Sequence, residues 1–407
     1  MTFFLVWTLI AIELSYMQPE PQSWSRHVID SGQSGADGVR LADINRDGLP
    51  DITTGWEEEG ITKVYLHPGY EDVTSKWPSV VVGSASSVED AVFADLDGDG
   101  NTDVISSTEG ENNKMLVHWG PSQDILDPSN WQTDTIAASD GLTRWMFAVP
   151  LDLDGSGRPG IIVGSKDPNG VVGWFYSTED PRNLQHWIWH PITNATWIMS
   201  LIAHDVNQDG HLDIVLSDRK PGSSNGVRWL QNPGAEHLFE STWDSHFIGA
   251  QGKEVMFMDM ADLDKDGLVD AIACERSEQQ ILYFRKLDTT GINWSSHKIS
   301  IPEFTGFAKA VKLADMNLDG QPDIVFSSNT MGDDTKSGVY WLSYSKTPMD
   351  KYWSWQPISG SEGYKFDRLE LLDLDGDGDL DVLTCEENYG PQSQGLGVIW
   401  YENPVLK

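Results

Sequence analysis

The 407-residue sequence predicts an all-β fold: a seven-bladed β-propeller with four-stranded antiparallel blades. Three observations predict it. A short acidic loop, clearest as DLDGDGNTD from Asp95 and DLDGDGDLD from Asp373, returns seven times. Its first aspartates (Asp43, Asp95, Asp152, Asp205, Asp262, Asp315 and Asp373) stand 52, 57, 53, 57, 53 and 58 residues apart. Between them lie short β-branched and aromatic runs, punctuated by Gly, Pro and Asn, with no sustained helical period.

Each repeat reads as four strands. The first precedes the acidic loop (Val39 to Leu41, Ala91 to Ala94), and the second follows it (Asp51 to Thr54, Asp103 to Ser106). The third is aromatic, as in Val64-Tyr65-Leu66, Val227-Arg228-Trp229 and Val398-Ile399-Trp400. The fourth carries Trp and a partner three residues on: Trp24/His27, Trp77/Val80, Trp131/Asp134, Trp187/His190, Trp243/His246, Trp294/His297 and Trp353/Gln356. The chain opens with a fourth strand and ends with a third. The N-terminal strand is therefore expected to complete the last blade, which removes a pair of sheet edges.

The loop has the chemistry of a cation cage. Oxygens at positions 1, 3, 5 and 9 and a carbonyl at 7 can wrap a hard ion, and Gly at 6 permits the turn. The start resembles an EF-hand loop, but a strand follows where an EF-hand has its helix. The expected ligands are Asp43, Asn45, Asp47 and Asp51 in the first loop and Asp95, Asp97, Asp99 and Asp103 in the second. The fourth has Asp205, Asn207, Asp209 and Asp213, and the fifth Asp262, Asp264, Asp266 and Asp270. The sixth has Asp315, Asn317, Asp319 and Asp323, and the seventh Asp373, Asp375, Asp377 and Asp381. The third loop keeps Asp152, Asp154 and Ser156 but has Gly160 at position 9, so that site is expected to be weak or empty. Calcium is expected over magnesium, because an all-protein oxygen cage suits the larger ion.

Composition narrows the partners. The formal charge is −36, and 23 of the 63 acidic residues occupy the ligating positions. Seven divalent ions would still leave about −22, a field that repels nucleic acid and anionic membranes. Phe3 to Ile12 form an apolar run too short to span a bilayer, so residues 1–20 read as a secretory signal segment and 21–407 as a single propeller. That points to a secreted, extracellular or periplasmic protein with no membrane insertion. Cys274 and Cys385 hold the same repeat position in non-neighbouring blades and read as buried thiols. Asn194-Ala195-Thr196 and Asn293-Trp294-Ser295 are glycosylation sequons, meaningful only in a eukaryotic host.

The strand, D-x-D-x-D-G-x-x-D loop and strand together resemble the FG-GAP/VCBS repeats of integrin α-subunit propellers and of secreted bacterial proteins. The resemblance covers nearly the whole chain after the leader and implies a calcium-binding propeller. Third-strand endings such as Trp229-Leu230-Gln231-Asn232-Pro233 and Trp400-Tyr401-Glu402-Asn403-Pro404 also look like those of propeller domains in sugar-processing enzymes.

The face opposite the acidic loops is the expected binding surface, because its connections vary between blades. The candidates there are Trp56, Trp145, Lys166, Trp197, Arg219, Glu275 and Arg276. Aromatic faces beside cations suit a sugar that carries acid groups. The expected function is a binding or adhesion module for a glycan or an extracellular protein. The alternative is a polysaccharide lyase or sugar dehydratase, which needs a general base that the repeat positions do not supply.

Overall fold

Period-2 patterning gives each strand one face for each neighbouring blade, and strands covered on both faces run apolar throughout. The computed structural model describes residues 23–239, 242–387 and 394–406, and residues 1–20, expected from the sequence to be a signal segment, lie outside them. Blade one comprises Ala36–Ala42, Asp51–Trp56, Ile61–Tyr65 and Ser79–Ser84; blade two Val88–Ala94, Asp103–Thr108, Met115–Trp119 and Gln132–Thr135. Blade three is Arg144–Leu151, Gly160–Lys166, Val171–Tyr176 and Ile188–Asn194; blade four Ile198–His204, Asp213–Asp218, Gly226–Leu230 and Ser245–Gly249. Blade five is Val255–Ala261, Asp270–Glu275, Gln280–Lys286 and Trp294–Ser300; blade six Phe307–Ala314, Asp323–Asn329, Val339–Ser343 and Ser354–Pro357. Lys365–Leu372, Asp381–Glu387, Gly397–Glu402 and the N-terminal Ser25–Asp30 form the last blade.

The first strand of each blade touches the first strand of the next, and the last touches the first, so the units close into a ring. Closure runs as the sequence predicts: Ser25 to Val28 pair antiparallel with Glu402 to Ile399. Asp30 then reaches from the closing strand to blade one, where its buried carboxylate meets Lys63 Nζ and accepts from Tyr65 Oη at 3.2 Å.

Second strands are buried along their whole length, save for Asn329 at the end of that in blade six. Their fifth residue faces the next blade at close range and must be small: Gly55, Ser107, Gly164, Ser217, Cys274, Ser327 and Cys385 fill it. A Cβ on Gly164 would lie 2.6 Å from Ile198, and one on Gly55 2.8 Å from Val88. The two cysteines are thus small packing residues, fully buried and unpaired.

The repeated tryptophan mostly precedes the fourth strand instead of lying within it. Its indole N–H ties down the preceding loop: Trp77 donates to Val73 O, Trp131 to Ile125 O, Trp187 to Pro181 O and Trp243 to Leu238 O. The histidines three residues on pack against third-strand aromatics, with His27 on Trp400 at 4.4 Å and His246 on Trp229 at 4.6 Å between centroids. The axis is filled. Arg368 of the last blade lies 5.2 Å from the rings of both Phe147 and Phe257, which come from blades three and five.

Candidate functional site

The acidic loops take one conformation. In five loops the first Asp accepts the backbone N–H groups of positions 5 and 6, as Asp43 does from Asp47 (3.1 Å) and Gly48 (2.9 Å), whereas Asp95 and Asp373 accept from the glycines at positions 4 and 6. Position 6 has φ between 81 and 100° in all seven copies, which requires its glycine. Position 4 is also left-handed, with φ of 59 to 62° at Arg46, Gln208, Lys265 and Leu318, a strain the sequence did not reveal because only three copies have Gly there.

Position 9 does two jobs. One oxygen of Asp51 accepts Ile44 N at 2.9 Å and the other accepts His67 N at 2.9 Å, fastening the first-strand exit to the third-strand exit. Asp103, Asp213, Asp270 and Asp381 repeat both bonds. Burial pushes these carboxyls up, to about 6 for Asp51, Asp213 and Asp270 and about 7 for Asp103, Asp323 and Asp381, and neighbouring loop carboxylates add to the rise. Each carboxylate oxygen still has a lone pair to offer.

The donor set fits a hard cation. Oxygens of Asp95, Asp97 and Asp99 lie within 4.8 Å of one another, as do those of Asp262, Asp264 and Asp270 and those of Asp373, Asp375 and Asp381. Positive groups already face two loops. Arg182 meets Asp97 and lies 3.1 Å from Asp99, and Arg285 meets Asp264 and lies 2.8 Å from Asp266. The third loop differs for a steric reason. A Cβ on Gly160 would run into the Trp174 indole, which fills the space where other blades place the ninth Asp.

The opposite end of the ring carries a charged collar built from the starts of first strands and the ends of second strands. Glu57, Glu89 and Glu109 bring carboxylate oxygens within 4.8 Å, and so do Asp37, Asp367 and Glu387. Lysines stitch these groups across blades. Lys166 of blade three meets Glu109 and lies 3.4 Å from Glu89, while Lys309 of blade six lies 3.2 Å from Asp367 and 2.8 Å from Glu387. Burial and the adjacent Asp367 hold the Asp37 carboxyl well above its usual range. Burial opposes ionisation of Asp367 as well, but Lys309 and the hydrogen bond from Asp37 keep it below the usual range. Burial and Glu109 likewise raise Glu89 well above it, against the pull of Lys166.

Four of the seven expected ligand-facing residues meet at one sector of this collar. Half-buried Trp197 is flanked by Lys166 at 4.5 Å and by Arg219 and Lys220 at 4.4 Å each. Arg219 and Arg276 share one oxygen of Glu254, at 2.7 and 2.9 Å. The other three are fully buried, and Lys166 is itself only 8% exposed, which corrects the expectation. Trp56 and Trp145 are 0% exposed within inter-blade cores, where Trp56 donates to Tyr65 Oη and Trp145 to Ser139 O. Glu275 is also fully buried and caps its own turn through Ser277 N and Glu278 N. These residues sit at the collar's height in the strands, but strand alternation turns them into the sheet packing.

The Asn of the W-x-x-N-P endings is structural. Asn232 donates to Leu212 O, and Asn403 donates to Met316 O and Leu380 O.

The family model described as FG-GAP-like repeat matches residues 152–216, 205–273, 262–326 and 315–384. That is more than half the chain, and the protein belongs to the FG-GAP-like repeat family. Among solved structures, the chain is similar to an ancestral GH74 enzyme at 14% identity and a TM-score of 0.52, a likeness of fold. The match covers 93% of this chain and 48% of the enzyme, so the protein spans about half that structure's length. No curated protein matches. Among the described residues no helix is long and apolar enough to cross a membrane.

Proposed function

We propose that this protein is a secreted, calcium-binding propeller that serves as a binding or adhesion module for a glycan or an extracellular protein, with the collar as its docking face. The observation that carries the reading is the Trp197 sector, an indole flanked by three cations on the face away from the acidic loops. A flat aromatic face beside guanidinium and ammonium groups suits a partner that presents an apolar face and an acid group. The loops on the other face hold calcium in up to seven sites, the third being the weakest. Bound calcium would neutralise carboxylates that burial and mutual repulsion otherwise push toward protonation.

A lyase or dehydratase reading retains one supporting observation. Burial and neighbouring carboxylates push the Asp37 and Glu89 carboxyls well above their usual range, on the same face as Lys309 and Lys166. None of the ten histidines lies among the collar residues, and His67 and His118 are buried elsewhere. Binding is therefore the stronger reading.

A calcium titration followed by an array of acidic glycans and extracellular proteins tests both parts. Stability rises with calcium after chelation, by about 2.7 kcal/mol per site at a hundredfold excess over Kd, read as a higher thermal midpoint. The Trp197→Ala variant loses array binding while keeping that calcium response. A midpoint indifferent to calcium sinks the metal reading. Unsaturated sugar products appearing with the wild type would replace binding with lyase chemistry.

A further inference from the structure

On the outer wall of the ring, a cavity of about 1790 Å³ opens between the outer strands of blade six and the N-terminal strand that closes the ring. We infer that this groove binds a neutral oligosaccharide, a site separate from the collar and independent of the reading given to it.

The lining departs from the repeat in two ways. In five blades the repeated indole donates to a nearby carbonyl: Trp77, Trp131, Trp187, Trp243 and Trp294. Trp353 of blade six occupies the same slot and is 9% exposed, yet its Nε1 has no hydrogen-bond partner. Leaving a buried N–H without an acceptor is costly, so a ligand oxygen that reaches it is strongly favoured. Two residues on, Trp355 points the same way along the strand and is 45% exposed, although it too lines the cavity. Trp24 and Trp341 form the inner wall with their rings at 6.2 Å.

These features select the ligand class. An open indole next to a deeper donor suits a ring with one apolar face and an edge of hydroxyls, which is a pyranose. Arg26 and Glu362, paired at 2.9 Å on the rim, offer both donors and acceptors to such hydroxyls. A volume above the ~300–1,000 Å³ of ordinary small-ligand pockets suits a chain of several sugars. The sugars are neutral, because the Arg26–Glu362 pair on the rim presents no net positive charge to hold an acid group.

Titration of the full chain with cellohexaose, xylohexaose, mannohexaose and polygalacturonate, read by tryptophan fluorescence and calorimetry, tests the assignment. At least one neutral hexasaccharide is expected to bind saturably. Trp355→Ala should weaken it at least tenfold, Trp353→Phe should weaken it several-fold, and Trp197→Ala should leave it unchanged. Trp355 is exposed, so its variant should melt with the wild type, and Trp355→Phe with partial affinity covers the case where it does not. The proposal falls if no neutral hexasaccharide binds at millimolar concentration. It falls equally if Trp355→Ala binds like the wild type, if Trp197→Ala abolishes binding, or if polygalacturonate is the preferred ligand.

Discussion

Replacing Asp30 by Asn tests whether the ring is held shut by a buried charge pair. Asp30 and Lys63 have side chains 1% and 8% exposed, and they join the closing strand to blade one. An amide at position 30 can still accept from Gly32 N, which lies 3.0 Å from the carboxylate, so the change mainly leaves the Lys63 ammonium buried without its counter-charge. Removing one partner of such a pair costs about 3–5 kcal/mol, whereas replacing both with apolar or neutral groups costs far less. Asp30→Asn and Lys63→Met should therefore each destabilise by about 3–5 kcal/mol, and the double variant by only about 1–2 kcal/mol. Urea unfolding across the four proteins measures the coupling. The pH dependence gives a second check. Burial raises the Asp30 carboxyl, but Lys63 and Gly32 N outweigh it and hold the folded value below the ordinary one. The pair's contribution is complete above the unfolded value and is lost as pH falls through the folded value, so the wild type and Asp30→Asn should converge in acid. Additive single effects, or a loss below about 1 kcal/mol for Asp30→Asn, would refute the argument.

Other outcomes follow from the loops and blades. Gly160→Asp should destabilise by about 1–3 kcal/mol by colliding with Trp174. Pairing it with Trp174→Ala should relieve the clash and add one bound calcium, counted by metal analysis. Leu318, 48% exposed with φ of 59°, should gain up to about 1 kcal/mol on replacement by Gly, seen as a higher denaturation midpoint. His118 is buried neutral, its imidazole pushed down to about 3 by desolvation, between Ser106 Oγ at 2.9 Å and Thr133 Oγ at 2.8 Å. The unfolded chain takes the proton near the ordinary value while the folded one refuses it. Stability should therefore fall by about 1.4 kcal/mol per pH unit from ~6.5 toward ~3, a slope that His118→Gln lacks in a urea series across pH.

Period and pattern made the blades legible because every repeat solves the same packing problem in the same order. The acidic loops and the Ser25–Glu402 closure could be read off for that reason. Side-chain direction at strand ends was harder. Trp56 and Trp197 occupy comparable heights, and the bulges at the starts of first strands, such as that between Asp37 and Arg40, shift which residues face outward. Arg182 reaching Asp97 and Asp99 joins residues more than eighty positions apart, and repeat alignment gives no sign of such contacts. The groove between blades six and seven was hidden for a similar reason, since Trp24 and Trp341 meet across the closure.

The Ser25–Asp30 strand also has a temporal consequence. It is made before every other strand of the ring, yet its partners are residues 398–402. Until those residues emerge, the strand has no sheet to join and Asp30 has Lys63 but no finished blade behind it. The circle can therefore be sealed only once residues 398–402 have emerged.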